Sequence, residues 1–395
     1  MTVYYHLAGQ SAPELWGLSA DERIARVLRQ KCREDSVALW PESSGKDDAA
    51  GRVLVLRRDF LYDERLIAAL LRREEDLALE RAGQVVAVWT DAGRFPAALA
   101  LLRGEGDRSR FIRVTPDQLA SGVTQKLRKV SPPFVLPVTA ENASRLERHL
   151  FDESYKGVTD LVTKWVWPRL AERTVRFCVR CGIRPNHVTA ASWVLAILVG
   201  ILFLQGYLGL GLVLGWLMTF LDTVDGKLAR VTVDSSRFGH FFDHVLDVVH
   251  PPLWYLAWGL GLENYQPLLV KLPLMETFWL LLAGYVGGRF AEALFKRFIG
   301  FSIFTWEVTD SVNRLLTARR NPCLILLSAG YLLGRPDLGF EAVTLWTLAS
   351  TLFLWGRLGL ALWRKRRGER LASWLDQVDP DAVTGAAAWF VQRGH

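Results

Sequence analysis

Two patterns of apolar positions divide the chain near residue 150. Before that point, short apolar runs such as "GRVLVLRRD" and "GQVVAVWTD" alternate with stretches of helical periodicity such as "DERLIAALLRREEDLALERA". Runs of that length favour β-strands, and their alternation with helices favours a mostly parallel sheet covered by helices. Residues 1–150 are therefore predicted to form a soluble α/β domain. The alternation breaks at "VSPPFVLPVT", where three prolines lie close together, and a predicted helix at "ENASRLERHLFDESYKG" leads to the next part of the chain.

Beyond residue 180 the apolar stretches approach or reach the length of about twenty residues that a membrane-spanning helix needs. We place six spans, of which the fifth is the shortest, at 187–207, 208–229, 236–262, 272–295, 321–333 and 340–363. The predicted fold is an α-helical integral membrane domain of six transmembrane helices plus an interfacial helix, at 151–370, with the N-terminal soluble α/β domain before it. A tail at 371–395 follows, to which we assign no chemistry.

The interfacial helix is predicted at 158–181, where Trp and Phe side chains are mixed with five Lys and Arg side chains. This composition is too charged to span a bilayer, and it is typical of a helix that lies on an anionic membrane surface. An ordinary amphipathic helix packed on the soluble domain is the alternative. Cys178 and Cys181 in this segment have no second Cys pair, which argues against a zinc site.

Charge agrees with a membrane protein. The chain has 395 residues, half of them hydrophobic, and a net charge of +7. Such an excess of Lys and Arg can indicate nucleic acid, but it is also what cytoplasmic loops supply, and we expect no nucleic-acid partner. With both termini in the cytoplasm, the spans place most basic side chains on the cytoplasmic side of the cell (inner) membrane. These are Lys227, Arg230, Lys296, Arg297, Arg314, Arg319, Arg320 and the run "RKRRGER".

Four aspartates lie at the predicted cytoplasmic ends of spans two and three. Asp222 and Asp225 share a face of one helix, and Asp243 and Asp247 share a face of the next. The connection between the spans is short, so the helices should be antiparallel neighbours and the carboxylates should converge. A carboxylate at the centre of a membrane helix costs about 2.5–3.5 kcal/mol, so a positive charge must compensate.

Two kinds of cation would serve. Lys227 and Arg230 would neutralise two of the carboxylates, which is a purely structural role. Hard divalent ions suit an all-oxygen ligand set better. His244 lies off the face that Asp243 and Asp247 share, which argues against a zinc site. Two hard divalent ions are the standard device for displacement at phosphorus. The residues alone therefore indicate metal-dependent phosphoryl chemistry at the cytoplasmic membrane surface, without identifying a substrate.

The motif D-x-x-D-G-x-x-A-R-x8-G-x-x-x-D-x-x-x-D is complete in this sequence and resembles the signature of the CDP-alcohol phosphotransferases. The preceding "RPNHVT" is similar to the P-N-x-x-T sequence that opens the first span in that family. The resemblance covers roughly 158–367. It implies transfer of a phosphoalcohol group from a CDP-alcohol, either CDP-diacylglycerol or a small polar CDP-alcohol, to an acceptor hydroxyl. The resemblance further implies release of CMP and a homodimeric enzyme of lipid synthesis.

The resemblance also implies a role for each motif position. It implies two Mg²⁺ or Mn²⁺ ions, with Asp247 also taking the proton from the attacking hydroxyl. The implied metal site consists of Asp222, Asp225, Asp243 and Asp247. The implied nucleotide site consists of Gly226, Ala229, Arg230 and Gly239, with Arg230 on the diphosphate.

Several alternatives remain open. The first domain faintly resembles a sugar-nucleotidyltransferase, but "AGQSAPELWG" lacks the paired glycines and the basic residue of a phosphate loop, which implies a degenerate domain; an unrelated α/β domain is the alternative. An inactive membrane anchor would not need all eight motif positions, and a transporter would carry its acids near the membrane midplane. Arg314, Arg319 and Arg320 would bind a phosphorylated acceptor or serve only as cytoplasmic positive charge.

Overall fold

The structure, a computed structural model, describes residues 3–32, 37–40, 51–234, 237–379 and 382–391, and for residues 108 and 237–247 it describes the backbone alone. Its N-terminal region combines strands and helices. The strands are β1 Val3–Ala8, β2 Val37–Leu39, β3 Arg52–Arg57, β4 Phe60–Tyr62, β5 Leu77–Arg81, β6 Gln84–Asp91, β7 Ile112–Val114, β8 Val123–Thr124, β9 Lys129–Val130 and β10 Val135–Pro137. The helices are α1 Ala20–Lys31, α2 Glu64–Leu70, α3 Phe95–Arg103, α4 Pro116–Leu119 and α5 Ala143–Glu153.

The main sheet has six strands among the described residues, in the order β2-β1-β3-β6-β5-β7. β1 is parallel to β2 and β3, and β7 is parallel to β5, whereas β6 is antiparallel to both of its neighbours. The predicted α/β region is confirmed, but its sheet is mixed. Apolar runs do not encode strand direction, so the sequence pattern did not reveal the antiparallel strand.

One predicted helix is partly wrong. The stretch "DERLIAALLRREEDLALERA" is helical only in α2, and its second half forms β5. Ala82 and Gly83 follow with φ values of +49° and +78°, which is the two-residue turn that joins antiparallel strands. Pairing with β6 buries Leu77, Ala78 and Leu79 on both faces of the sheet. This tertiary pairing outweighs the helix propensity of Leu, Ala and Glu.

The C-terminal region is helical, and each of the six predicted spans coincides with one helix. A π-helical turn at Val162–Val166 precedes the first of these helices. The helices are α6 Pro168–Arg180, α7 Pro185–Leu204, α8 Leu208–Val231, α9 Arg237–Leu260, α10 Leu274–Ile299, α11 Val308–Leu316, α12 Arg320–Leu332 and α13 Pro336–Arg366. The tail contributes two short 3₁₀ turns at Trp374–Asp376 and Gly385–Trp389.

Four of these helices are long and apolar enough to cross a membrane, namely α7, α8, α10 and α13. α12 has 13 residues, and at about 1.5 Å per residue it is shorter than a hydrocarbon core of about 30 Å. The first 11 residues of α9 lie where only the backbone is described, so its apolar length is not tested. The count of six spans therefore stays a prediction.

Of the segment predicted as an interfacial helix at 158–181, only Pro168–Arg180 forms an α-helix, α6, and it follows the π-helical turn at Val162–Val166. It buries Ala171, Val175 and Cys178 along one stripe, while Leu170 and Phe177 are exposed. An exposed Phe and Leu on a helix rich in arginine suit an interface between water and lipid. Whether a membrane surface covers these side chains stays a prediction.

The chain falls into two compact units. The first, called here the α/β unit, comprises Met1–Thr124, Ser131–Ser154 and Val231–Asp234. The second, the helical unit, comprises Gln125–Val130, Tyr155–Arg230 and Ser235–His395. The short segment after Arg230 thus belongs to the same unit as the sheet.

Aromatic packing joins the helices that carry the aspartate motif. The Trp254 indole of α9 donates a hydrogen bond to the Ala196 carbonyl of α7 at 2.8 Å. Phe203 of α7 packs edge-on against Trp258, with ring centroids 4.9 Å apart. At Gly215 of α8, a Cβ atom would lie 3.6 Å from the Trp254 ring. Helices α7, α8 and α9 are therefore mutual neighbours at this level, as the short connection between spans two and three predicts.

Candidate functional site

The first half of the motif lies in the last three turns of α8, where Asp222 and Asp225 share a face one turn apart. Thr189 of α7 donates its hydroxyl hydrogen bond to Asp225 Oδ2 at 2.7 Å. Thr189 is the last residue of the "PNHVT" sequence, and Pro185 begins α7 one turn earlier. A hydrogen bond between Thr189 and Asp225 therefore joins the "PNHVT" sequence to the aspartate motif.

Asp222 is held by a cation from another helix. Its carboxylate pairs with the Arg320 guanidinium at the start of α12, and both side chains are largely buried. The sequence suggested Arg320 only as a ligand for an acceptor or as cytoplasmic charge. An arginine at the first turn of α12 therefore lies directly beside the motif.

Arg230 folds back over the small residue of the motif. A Cβ atom added at Gly226 would lie 3.6 Å from Arg230 Nη1, so the guanidinium covers the glycine one turn earlier on α8. Lys227 points elsewhere on the helix: it is 4% exposed, and its ammonium lies 3.4 Å from the centroid of the Tyr155 ring. A cation–π contact of this kind stabilises a buried lysine. The guanidinium of Arg230, and not the ammonium of Lys227, therefore lies beside Gly226.

The second half of the motif lies in α9, since Gly239, Asp243 and Asp247 fall within Arg237–Leu260. Their side chains are outside the described residues. Among the side chains that the structure does describe, no three His, Cys, Asp or Glu residues form a group that could hold a metal ion. Because two of the four predicted ligands are among those not described, the metal site and the convergence of the four carboxylates stay predictions.

A basic cluster, defined as Arg128, Arg289, Arg314 and Arg319, lies in the helical unit. Three of its guanidinium carbons surround the ring of Phe304, at 5.5 Å for Arg128, 5.3 Å for Arg314 and 5.8 Å for Arg319. Arg128 follows β8 with a φ of +48°, which is unusual for a residue other than glycine. Burial and, to a smaller extent, the nearby charge of Arg314 together lower the pKa of Arg128 to about 10.

A glutamate, Glu292, lies among these arginines. Glu292 of α10 pairs with Arg319, and its Oε1 lies 3.7 Å from Arg289 Nη1. Arg289 and Glu292 line a small cleft together with Tyr285, Thr317 and Ser350. The cluster thus combines several cations with hydroxyl donors, a composition that suits an anionic group with several oxygen atoms.

The start of α12 connects the basic cluster to the aspartate motif. Arg319 and Arg320 are consecutive, but Arg319 pairs with Glu292 and Arg320 pairs with Asp222. The next residue, Asn321, donates a hydrogen bond to Asp160 Oδ1 at 2.9 Å. Burial would raise the pKa of Asp160, but the Arg314 charge and the hydrogen bonds from Asn321 and Thr163 hold it below its usual value. Asp160 is therefore an ionised anchor for the start of α12.

The sequence pattern assigned no role to several of these residues, among them Thr189 and Arg128. For Thr189 the signal is its place in the "PNHVT" sequence, which resembles the same family as the motif that contains its partner Asp225. Arg128 had no such signal, because it lies in a short hairpin far from the motif along the chain.

Comparisons with known proteins agree with the motif. Residues 183–363 match the family model described as CDP-alcohol phosphatidyltransferase. One similar protein is the bifunctional IPC transferase and DIPP synthase of Thermococcus kodakarensis, which is 28% identical over 134 residues, or 30% of this chain and 31% of that protein. Another is the archaetidylinositol phosphate synthase of Pyrococcus horikoshii, which is 36% identical over 77 residues, or 19% of this chain and 40% of that protein.

The chain covers less than half the length of each of these two relatives. The family match begins at residue 183, so it does not include the sheet of the α/β unit, and the nucleotidyltransferase resemblance of that unit stays a prediction. Within the matched range lie all eight motif positions, Thr189, and three of the four arginines of the basic cluster. Over residues 183–363, slightly less than half of its length, this chain is therefore similar to the CDP-alcohol phosphatidyltransferases, a family of phosphotransferases.

Proposed function

We propose that this protein transfers a phosphoalcohol group from a CDP-alcohol to the hydroxyl of an acceptor that itself carries a phosphate, in phospholipid synthesis at the cytoplasmic side of the cell membrane. The observation that carries the proposal is the α8 face in the matched domain, where Asp222 and Asp225 are held by Arg320 and Thr189 beside Arg230. The acceptor oxygen attacks the phosphorus that bears the alcohol group. The bond between that phosphorus and the bridging oxygen of the diphosphate breaks, CMP leaves with this oxygen, and Asp247 would take the proton of the acceptor hydroxyl.

A divalent cation fits the donors on α8. The two carboxylates there provide only oxygen atoms, which Mg²⁺ and Mn²⁺ prefer. The proximity of Gly215 and Trp254 supports a site shared between α8 and α9. Position 222 lies seven residues after Gly215, and position 247 lies seven residues before Trp254. In antiparallel helices of equal rise these two positions are therefore at the same height. Asp222, Asp225, Asp243 and Asp247 would hold two such ions, which would neutralise charge on the diphosphate. Arg230 would donate to a diphosphate oxygen, and Gly226, Ala229 and Gly239 would leave room for the cytidine.

The basic cluster supports a phosphorylated acceptor. Guanidinium groups gathered around one ring repel one another, and a bound dianion would relieve that repulsion while accepting paired hydrogen bonds. The consecutive pair Arg319 and Arg320 relates this cluster directly to Asp222. The name of one relative, archaetidylinositol phosphate synthase, points to the same class of acceptor. A homodimer embedded in membrane lipids is proposed on the family resemblance alone.

We expect CMP release only when a divalent cation, a CDP-alcohol and a phosphorylated polyol are all present. The test uses the purified full-length protein in detergent, with CDP-diacylglycerol and a small polar CDP-alcohol as alternative donors. Inositol and inositol phosphate serve as the acceptor pair, and CMP is quantified chromatographically with Mg²⁺, with Zn²⁺ or with chelator. Equal use of both polyols would reject the acceptor class, and no CMP from any donor would reject the function.

We expect Arg128→Gln to raise the KM for the phosphorylated acceptor by about tenfold to a hundredfold, which is the effect of losing one charge-assisted hydrogen bond. The KM for the CDP-alcohol should change little, because Arg128 belongs to the basic cluster rather than to the α8 face. Arg297→Gln is the matched control, since Arg297 is an exposed arginine on the same helix as Arg289. Steady-state kinetics with each substrate varied in turn measure both constants. An unchanged acceptor KM would remove Arg128 from the acceptor site.

A further inference from the structure

Helix α1 holds the segment that follows the aspartate motif. The side chains on one face of α1 donate hydrogen bonds to three successive backbone carbonyls directly after Arg230, and this arrangement is called here the clasp. Its members belong to one unit of the structure, the α/β unit. The hydrogen bonds are Arg23 Nη2 to Val231 O at 3.0 Å, Arg26 Nη1 to Thr232 O at 2.8 Å, and Gln30 Nε2 to Val233 O at 3.1 Å.

The clasped segment is also anchored by an apolar side chain. Val233 is 5% exposed and belongs to the same buried cluster as Ile24, Leu28 and Leu66. Its φ of +49° is a left-handed conformation that a β-branched residue rarely adopts. Such a conformation persists only where the surroundings hold it in place. Burial of the Val233 side chain and the hydrogen bond from Gln30 together keep the backbone of Val233 in this conformation.

The clasp acts on the end of a helix that would otherwise be loose. The last carbonyls of an α-helix have no partner within the helix, and they carry its partial negative charge. Val231 is the last residue of α8, and the cation that binds its carbonyl, Arg23, is largely buried and also donates to Leu15 O at 2.8 Å. Two guanidinium groups therefore satisfy and stabilise the terminus that immediately follows Arg230.

We propose that the clasp positions the last turn of α8 for phosphoryl transfer, so that α1 of the α/β unit is a working part of the transferase. Arg26 and Gln30 are positioning residues, because they act through the backbone of residues 232 and 233 and not on a substrate. The positioning role would give the α/β unit a function in the transferase reaction without any catalytic activity of its own. The kinetic part of the proposal rests on the proposed function.

The test is the double variant Arg26→Ala/Gln30→Ala in the full-length protein. Both side chains lie at the surface end of the clasp, so the fold should survive while the two hydrogen bonds are lost. Arg29→Ala is the matched control, because Arg29 is an exposed arginine of the same helix outside the clasp. Arg26→Lys is the conservative variant, since it keeps a positive donor. Hydrogen–deuterium exchange of the peptide at 222–234, CMP release and thermal unfolding are measured for every variant.

We expect the double variant to exchange faster at 222–234 and to lose about tenfold in kcat, because small displacements at a reacting site are costly. The acceptor KM and the unfolding temperature should match those of Arg29→Ala, and Arg26→Lys should keep most of the rate. Unchanged exchange, an unchanged kcat, or an equal loss in the Arg29→Ala control would each overturn the proposal. If the wild-type protein releases no CMP, the proposed function fails, while the exchange measurement still decides whether the clasp holds α8.

Discussion

Asp225→Asn should reduce CMP release by at least about a hundredfold, because in the proposed metal site it removes a charge that would stabilise the transferring phosphoryl group through the cations. The substitution keeps the shape of the side chain. Its Oδ1 atom can still accept the hydrogen bond that Thr189 donates to Asp225, so the contact between α7 and α8 should persist. Loss of activity would then report on charge rather than on misfolding.

Asp222→Asn should be as inactive but less stable. Asp222 is the carboxylate that pairs with Arg320, and both side chains are largely buried. Neutralising one partner of a buried ion pair leaves the other charge without compensation, which is strongly destabilising. The difference in unfolding temperature between Asp222→Asn and Asp225→Asn therefore tests the described ion pair, while their shared loss of activity tests the metal site.

The measurement for both variants is calorimetric titration with Mg²⁺ and with a CDP-alcohol, followed by turnover on the same preparation. Metal and donor affinity should fall together, because the donor phosphates would bind through the same proposed cations. Asp117→Asn is the control, since Asp117 is an exposed aspartate of the α/β unit. Normal donor affinity and turnover in chelator-treated Asp225→Asn protein would refute the metal-site assignment.

The helical unit was largely predictable, because its elements depend on local signals. Stretches of about twenty apolar residues predict spanning helices wherever they occur. The structure accordingly begins and ends α7, α8 and α10 within a few residues of the predicted limits. The α8 face was equally predictable, since the spacing of Asp222 and Asp225 fixes their common side once the segment is a helix.

The α/β unit was less predictable, because its sheet depends on partners distant along the chain. β5 was read as helix from its Leu, Ala and Glu content, and only its pairing with β6 makes it a strand. The clasp depends even more on residues that are distant along the chain. Val233 is a valine in a left-handed turn, and no local signal predicts that it inserts beside Leu28, about two hundred residues earlier in the chain.

The basic cluster shows the same limit. Arg314 and Arg319 lie between two predicted spans, in a segment where cytoplasmic positive charge is common in any membrane protein. Their meeting with Arg128 around Phe304 depends on tertiary structure alone. The cluster changes the interpretation of these arginines, because positive charge needed only for topology has no reason to converge on one ring.

Asp247→Asn should lower turnover by about 10²- to 10⁴-fold while leaving donor binding closer to that of the wild type, because a general base typically contributes a factor of that size. Asp247 lies one turn beyond Asp243 in α9, so it is within the same helix as one proposed metal ligand but at the end of the carboxylate row. Asparagine keeps a coordinating oxygen and cannot take the proton from the acceptor hydroxyl. The proton would then pass to water, which accepts it poorly at neutral pH.

Asp243→Asn is the comparison that separates a base from a ligand. If Asp243 is mainly a metal ligand, its variant should lose donor affinity and turnover together, whereas the Asp247 variant should lose chiefly the rate of a single turnover. The pH profile gives an independent readout: the wild-type rate should fall at low pH as the base becomes protonated, and the Asp247→Asn rate should lack that step. Near-wild-type single turnover would remove Asp247 from the base role. Loss of donor binding as severe as in Asp243→Asn would instead make it a metal ligand, because a residue needed only for proton transfer leaves the ground-state complex intact.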